Sequence, residues 1–164
     1  MKALYLVGFM GAGKTTISEE LSAILEIPVI DTDQYIEQKT GRSIPQIFEE
    51  SGEQAFRKLE KEILKELPTN DVIISTGGGV FVQEENRLWI NKKGISFYLN
   101  CDWEELERRL IGDTSRPLVQ KSNLDQLQAL FEQRRPSYEQ ATYTIDTANK
   151  TIHEICIEMK ELIK

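Results

Sequence analysis

The sequence is short of the residues that staple a chain or hold metals: of 164 residues, two are cysteine and one is histidine. Cys101 and Cys156 stand far apart and lack metal-site spacing. They offer neither a disulfide framework nor a thiolate centre, and a reducing compartment is the expected setting. No apolar run approaches the ~20 residues that span a bilayer. The run at residues 3–7, after Met1-Lys2, is too short for a secretory signal and has no cleavage site. A cytoplasmic protein with no membrane partner is expected. Positive charge is also scarce: 20 Lys and Arg face 27 Asp and Glu, a net charge of −7. General coating of DNA or RNA feeds on net positive charge, so nucleic acid is not an expected partner. An acidic chain holds a phosphate only where a few basic groups converge.

What is present is an ordinary globular composition, 40% apolar and 29% charged. The length suits one domain over residues 1–164, with no repeat or linker. Short apolar runs at residues 3–7, 28–30, 72–75, 95–99 and 142–145 alternate with segments of helical period. Ile17, Leu21, Ile24 and Leu25 form one such stripe, and Phe56, Leu59, Ile63 and Leu67 another. A last helix over about 151–164 carries Ile152, Ile155, Ile157, Met159 and Leu162. Asp102 with Glu105, and Ser122 with Asp125, have the spacing of capping boxes. Strands separated by helices pair in parallel, which predicts a three-layer α/β/α sandwich with a five-stranded parallel sheet. The breaker-rich stretch at about 112–123 reads as a loop and a candidate lid.

The first run leads into Gly8-Phe9-Met10-Gly11-Ala12-Gly13-Lys14-Thr15-Thr16, the G-x-x-x-x-G-K-[ST] phosphate loop in its strand–loop–helix setting. Glycines let successive backbone N–H groups, from Gly11 to Thr16, close around a polyphosphate, and the helix beginning near Lys14 turns its positive end toward it. Lys14 reaches the β and γ phosphates and the Thr15 hydroxyl ligates Mg²⁺. The pattern implies a nucleoside triphosphate.

After the second run come Asp31-Thr32-Asp33. Asp31 suits Mg²⁺ through water, and Asp33 suits an acceptor hydroxyl, as hydrogen-bond partner and proton acceptor. Equally, Asp33 could cap a helix starting near Gln34. Arg57 has Glu60 at i+3 and Glu53 at i−4. These are either solvated helix pairs or a guanidinium oriented to grip a substrate carboxylate. The third run ends in Gly77-Gly78-Gly79. Strand packing alone calls for no such triplet, and its expected use is to let a small polar substrate lie flat on the backbone.

Taken together these residues resemble the shikimate kinases, small P-loop enzymes related to nucleoside-monophosphate kinases. Gly8–Thr15, Asp31-Thr32-Asp33, the segment 41–48, Phe56-Arg57-x-x-Glu60 and Ser75–Gly79 carry the likeness. Arg116-Pro117-Leu118 and Arg134-Arg135-Pro136-Ser137-Tyr138 extend it over essentially the whole chain. The resemblance implies strand order 2-3-1-4-5 and transfer of the ATP γ-phosphoryl group, with Mg²⁺, to the 3-hydroxyl of shikimate. It implies that Asp33 binds the shikimate hydroxyls, that Arg57 and Arg134 bind its carboxylate, and that Gly77, Gly78 and Gly79 lie along the ring. Thr15 and Asp31 would serve Mg²⁺, Arg116 of the lid would reach over phosphate and substrate, and Arg109 would lie near the adenine. The substrate-binding segment spans about 33–60. The pattern departs at Ser137, where leucine is common, and around 148–150, which lacks an arginine that some members place against adenine.

Other residues read as structural. His153 is an exposed or capping residue of the last helix, the cysteines and Trp89 and Trp103 are packing, and Tyr138 anchors the loop after Arg134. Arg116 and Arg134, without the family pattern, would equally suit surface pairs with Asp113 and Glu132. No interface stripe stands out, and a monomer is expected. Two rivals are a kinase of another small acceptor, such as gluconate or a nucleotide, and a non-catalytic nucleotide-binding sensor.

Overall fold

The computed structural model describes residues 1–112 and 123–164. Along the chain run β1 (Ala3–Val7), α1 (Lys14–Leu25), β2 (Val29–Asp31), α2 (Thr32–Thr40), α3 (Ile44–Glu66) and β3 (Ile73–Ser75). There follow α4 (Glu84–Lys93), β4 (Gly94–Asn100), α5 (Trp103–Gly112), α6 (Leu124–Tyr138), β5 (Tyr143–Asp146) and α7 (Ile152–Leu162). The five expected strands are all present, within a residue or two. All pairs are parallel, in the order β2-β3-β1-β4-β5. All five residues of β1 have 0% exposure. A central parallel strand is covered on both faces and so reads as an unbroken apolar run rather than an alternation.

The chain leaves β1 toward β2 on one side and later crosses past β1 to β4 on the other. Right-handed crossovers then place α1 on one face and α4 on the opposite face. Consecutive residues of β4 display the two faces. Tyr98 stacks on Tyr138 of α6 with ring centroids 5.3 Å apart, while Phe97 stacks on Tyr143 at 5.5 Å. The Tyr143 hydroxyl donates to the Leu162 carbonyl at the end of α7. Since adjacent strand residues point oppositely, α6 and α7 cover opposite faces, which completes the three layers. Helix α7 lies on α1, and the Cys156 thiol donates to the Ile17 carbonyl at 3.5 Å. Its buried face is Ile155, Cys156 and Met159, whereas Ile152, Ile157 and Leu162 are partly exposed. Ile157 stands about 200° around the helix from Ile155 and so falls off the buried face.

Helix starts follow local chemistry. Ser43 and Gln46 form a reciprocal capping box on α3, and Thr151 and Glu154 another on α7. Asp102 supplies only its carbonyl, to the Leu106 N–H. Glu105 pairs with Arg108 and Arg109 instead of capping. Ser122 and nearly all of the lid segment lie outside the described residues. Helix α3 breaks at Gly52 (φ 85°, ψ 172°), where an added Cβ would meet nothing. There the dihedral angles rather than space require glycine.

Gly94 is the opposite case. It pairs in register with Ala3, and a Cβ on it would lie 2.5 Å from the Tyr5 ring and against the Ala3 carbonyl. Gly94→Ala forces the two central strands apart, and overpacking of this kind costs about 1–3 kcal/mol. Thermal unfolding should show a midpoint about 3–10 °C lower.

Candidate active site

Ligands of open α/β sheets bind at the carboxyl ends of the strands, where the winding direction reverses. That end of β1 is the loop before Lys14. Gly11 (φ 84°) and Gly13 (φ 98°) are left-handed. Gly13 is the N-cap of α1 and gives it no side-chain cap, whereas Asp31, Ser43 and Thr151 cap α2, α3 and α7. The first-turn N–H groups of α1 are thus arranged for an anion rather than for a side chain of the protein. The Lys14 ammonium lies over the loop and donates to the carbonyls of Gly8 and Phe9.

A cleft of about 390 Å³ runs along this loop from Met10 to Ile17, walled further by Arg109, Thr147, Lys150 and Ile152. Arg109 donates through Nη1 to the Gly11 carbonyl at 2.9 Å and through Nε to Glu105 at 2.9 Å. A cation from α5 is thereby fixed against the phosphate loop. The segment lacking the family's arginine supplies Lys150 to the same wall, held by Glu158 at 2.8 Å.

A second cleft, of about 460 Å³, lies on the other side of Lys14. Met10, Lys14 and Thr15 line both clefts. The second brings together Asp31 from the end of β2, Asp33 from α2, Arg57 and Glu60 from α3, Gly77–Gly79 after β3 and Arg134 from α6. Helix α2 starts at Thr32, earlier than expected, and Asp31 rather than Asp33 caps it, accepting from the Gln34 N–H at 3.0 Å. Asp33, in the first turn, is left to face the cleft. Thr32, fully buried between them, accepts from the Gly77 N–H at 2.8 Å and ties the start of α2 to the glycine loop.

The glycine triplet has a different physical basis from the one its sequence suggests. None of the three is left-handed. Each is pressed by a different side chain: a Cβ on Gly77 would lie 2.7 Å from Asp33 Oδ1, one on Gly78 3.2 Å from Arg134 Nη1, and one on Gly79 2.6 Å from Arg57 Cζ. Packing presses on all three, hard at Gly77 and Gly79 and more lightly at Gly78, because the functional side chains themselves occupy the space that side chains at 77–79 would fill.

The charges are strongly coupled. Arg57 donates through Nη1 to Glu60 Oε1 at 2.7 Å and has Glu53 at 3.6 Å. The Glu60 side chain has 0% exposure, and its Oε2 has no hydrogen-bond partner among the described residues. Burial pushes the Glu60 carboxyl above the ordinary carboxylate range, against the pull of Arg57. Removing Arg57 would strand a buried carboxylate, whereas the exposed Glu53 contact contributes little. Burial also raises Asp33, with help from Asp31, while Lys14 and Arg57 pull it down.

Every sequence-predicted site residue among those described lines one of the two clefts, and Arg116 lies outside the described residues. Sequence reasoning missed Thr32, Thr147 and the wall formed by Ile44. Thr32 carried one faint signal, a threonine enclosed by two aspartates at a strand end. Tyr138 was expected to anchor a loop after Arg134; residues 134–138 are instead the end of α6, and the Tyr138 hydroxyl donates to the Gly78 carbonyl at 2.6 Å. The remaining structural readings hold: both cysteines are buried, and Trp89 and Trp103 pack against the core. His153 is exposed beside Glu20. Among the described residues no helix is long and apolar enough to cross a membrane.

A family model described as shikimate kinase matches residues 10–164. A shikimate kinase of Bacillus anthracis is 50% identical over 163 residues, covering 99% of both chains. One from Bacillus cytotoxicus is 52% identical, covering 97% of this chain and 96% of the other. Among solved structures, the shikimate kinase of Acinetobacter baumannii in complex with shikimate superposes with a TM-score of 0.89 at 40% identity, covering 99% of this chain and 93% of that one. With two clefts meeting at a phosphate-loop lysine and relatives matched end to end, the chain belongs to the shikimate kinase family, whose activity is the ATP-dependent phosphorylation of shikimate.

Proposed function

We propose that the cleft along the phosphate loop takes ATP, that the cleft on the far side of Lys14 takes shikimate, and that the γ-phosphoryl group crosses to the 3-hydroxyl between them. The observation that carries this reading is the sharing of Met10, Lys14 and Thr15 by both clefts. In this arrangement Gly11, Ala12, Gly13, Lys14, Thr15 and Thr16 hold the phosphates and Arg109 borders the base. Arg116, from the lid at about 112–123, completes the phosphate contacts. Asp33 binds the ring hydroxyls, Arg57 and Arg134 the carboxylate, and Gly77–Gly79 bound the ring side. The protein acts as a cytoplasmic monomer of one domain on two small molecules.

Phosphoryl transfer spreads negative charge over the moving group, so positioned cations supply most of the catalysis. Lys14 is placed between donor and acceptor and meets that charge on both sides of the transfer. Arg57 is pre-oriented by Glu60, so a substrate carboxylate finds a guanidinium already held in place. Asp33 accepts a hydrogen bond from the reacting hydroxyl and receives its proton as the oxygen bonds to phosphorus. Thr15 and Asp31 suit Mg²⁺, since both offer hard oxygen donors to one cleft and this ion commonly takes one or two protein ligands with waters. One Asp31 oxygen is engaged at the α2 cap, and the carboxylate would serve the ion beside the Thr15 hydroxyl. Bound there, the ion would neutralise charge on the phosphates.

The direct test is ADP release from Mg-ATP with shikimate, gluconate or a nucleoside monophosphate. Turnover should require shikimate. Turnover with a control acceptor would overturn the substrate assignment, and tight ATP binding without turnover would favour a sensor. Lys14→Met should lower kcat by about 10²–10³-fold, and near-wild-type kcat would remove Lys14 from the transfer step.

Arg57→Ala should raise the KM for shikimate about 10- to 100-fold, the scale of a lost charge-assisted pair, with the KM for ATP within about twofold. Equal losses for both ligands would contradict the carboxylate role. The raised Asp33 pKa gives a signed pH prediction. A higher pKa means the carboxylate is lost at a higher pH, so kcat/KM for shikimate should fall on acidification while still above the ordinary aspartate value of about 4. In Asp33→Asn the Asp33 component of that acid limb should be lost, leaving what the raised Glu60 carboxyl contributes, and kcat should fall about 10²-fold.

A further inference from the structure

Tyr138 is fully buried at the end of α6, one helical turn beyond Arg134 and therefore on the same face. Its ring is stacked on Tyr98, and its hydroxyl donates to the Gly78 carbonyl at 2.6 Å. Arg134 Nη1 crosses that same residue, 3.2 Å from where a Gly78 Cβ would lie. Burial raises the phenol pKa to about 12, and the neighbouring Arg134 guanidinium opposes that rise. One glycine thus carries both contacts: its carbonyl takes the tyrosine and its bare Cα takes the arginine.

We infer that Tyr138 is a positioning residue for the substrate carboxylate, setting Arg134 over the glycine loop by clamping α6 to the Gly78 carbonyl. The inference rests on the reading above that Arg134 binds the carboxylate. The geometry favours this over a purely structural role. The ring stack alone would hold the aromatic in place, and the neighbouring Tyr98 does without any hydroxyl contact, its oxygen being buried and unpartnered. The Tyr138 hydroxyl instead spends its one donor on the residue whose missing side chain makes room for Arg134. Because the carboxylate is remote from the reacting hydroxyl, loss of the clamp should weaken ground state and transition state alike. It should then appear in KM rather than kcat.

The test is a cycle of Tyr138→Phe, Arg134→Ala and the double variant, with Tyr98→Phe as control and thermal unfolding recorded for each. Tyr138→Phe keeps the stacked ring. It should raise the KM for shikimate about 3- to 10-fold, the scale of one hydrogen bond, while kcat and the KM for ATP stay within about twofold. In the Arg134→Ala background the same change should add nothing, because the group it positions is gone. Tyr98→Phe should leave all three parameters unchanged. A Tyr138→Phe loss that is shared by ATP, or that persists in full beside Arg134→Ala, would overturn the positioning role. An unchanged shikimate KM in Arg134→Ala itself would instead overturn the carboxylate assignment on which the inference rests.

Discussion

The structure depends most on the bare backbone of residues 77–79 at the carboxyl end of β3. Asp33 from α2, Arg57 from α3 and Arg134 from α6 each press onto one of these glycines, at Gly77 and Gly79 closer than a Cβ would permit and at Gly78, 3.2 Å away, closely enough that the arginine would have to give way. The loop is fixed in turn from both sides, by the Gly77 N–H bond to Thr32 and by the Tyr138 bond to the Gly78 carbonyl. Three helices from two crossovers, α2 and α3 between β2 and β3 and α6 between β4 and β5, thereby place their charged groups within one cleft of about 460 Å³. A single methyl group at any of the three positions would displace a different member of the set.

The second constraint is the position of β1. As the buried centre of the sheet it sends its carboxyl end to the point where the winding reverses, with β3 on one side and β4 on the other. The phosphate loop leaves from that end, so Lys14 lines both clefts at once. The close pairing of Ala3 with Gly94 is part of the same arrangement, since it lets β4 lie tight against β1 and carry α5, with Arg109, to the loop. An acidic chain concentrates its useful cations here while its other charges form mostly exposed pairs of small energetic consequence.

The site also holds charge at a cost. Glu60 is fully buried, with one oxygen engaged by Arg57 and the other without a partner among the described residues. Such a group is more costly than an apolar side chain of similar volume unless it serves a purpose. Here it holds the Arg57 guanidinium in one orientation, so that the cost of ordering that side chain is met on folding. The raised affinity of Asp33 for its proton belongs to the same environment: burial favours the neutral acid, and the nearby Lys14 and Arg57 restrain that tendency.

The amino-acid sequence by itself determined the strands, the phosphate loop, the parallel class of the sheet and, through Arg57-x-x-Glu60 with the glycine triplet, the family. These are properties of residues adjacent along the chain: apolar runs, helical period, and a motif whose parts act within one loop. Only the tertiary structure decided which aspartate caps α2, since that turned on where the helix begins. The same holds for the face of α7 that is buried and for the purpose of the three glycines. The partners of the triplet are remote in sequence, with 60 positions separating Tyr138 from Gly78 and 45 separating Gly77 from Thr32. A glycine read locally shows only that a side chain is missing. What fills the space it leaves depends on which distant helices the sheet order brings beside it.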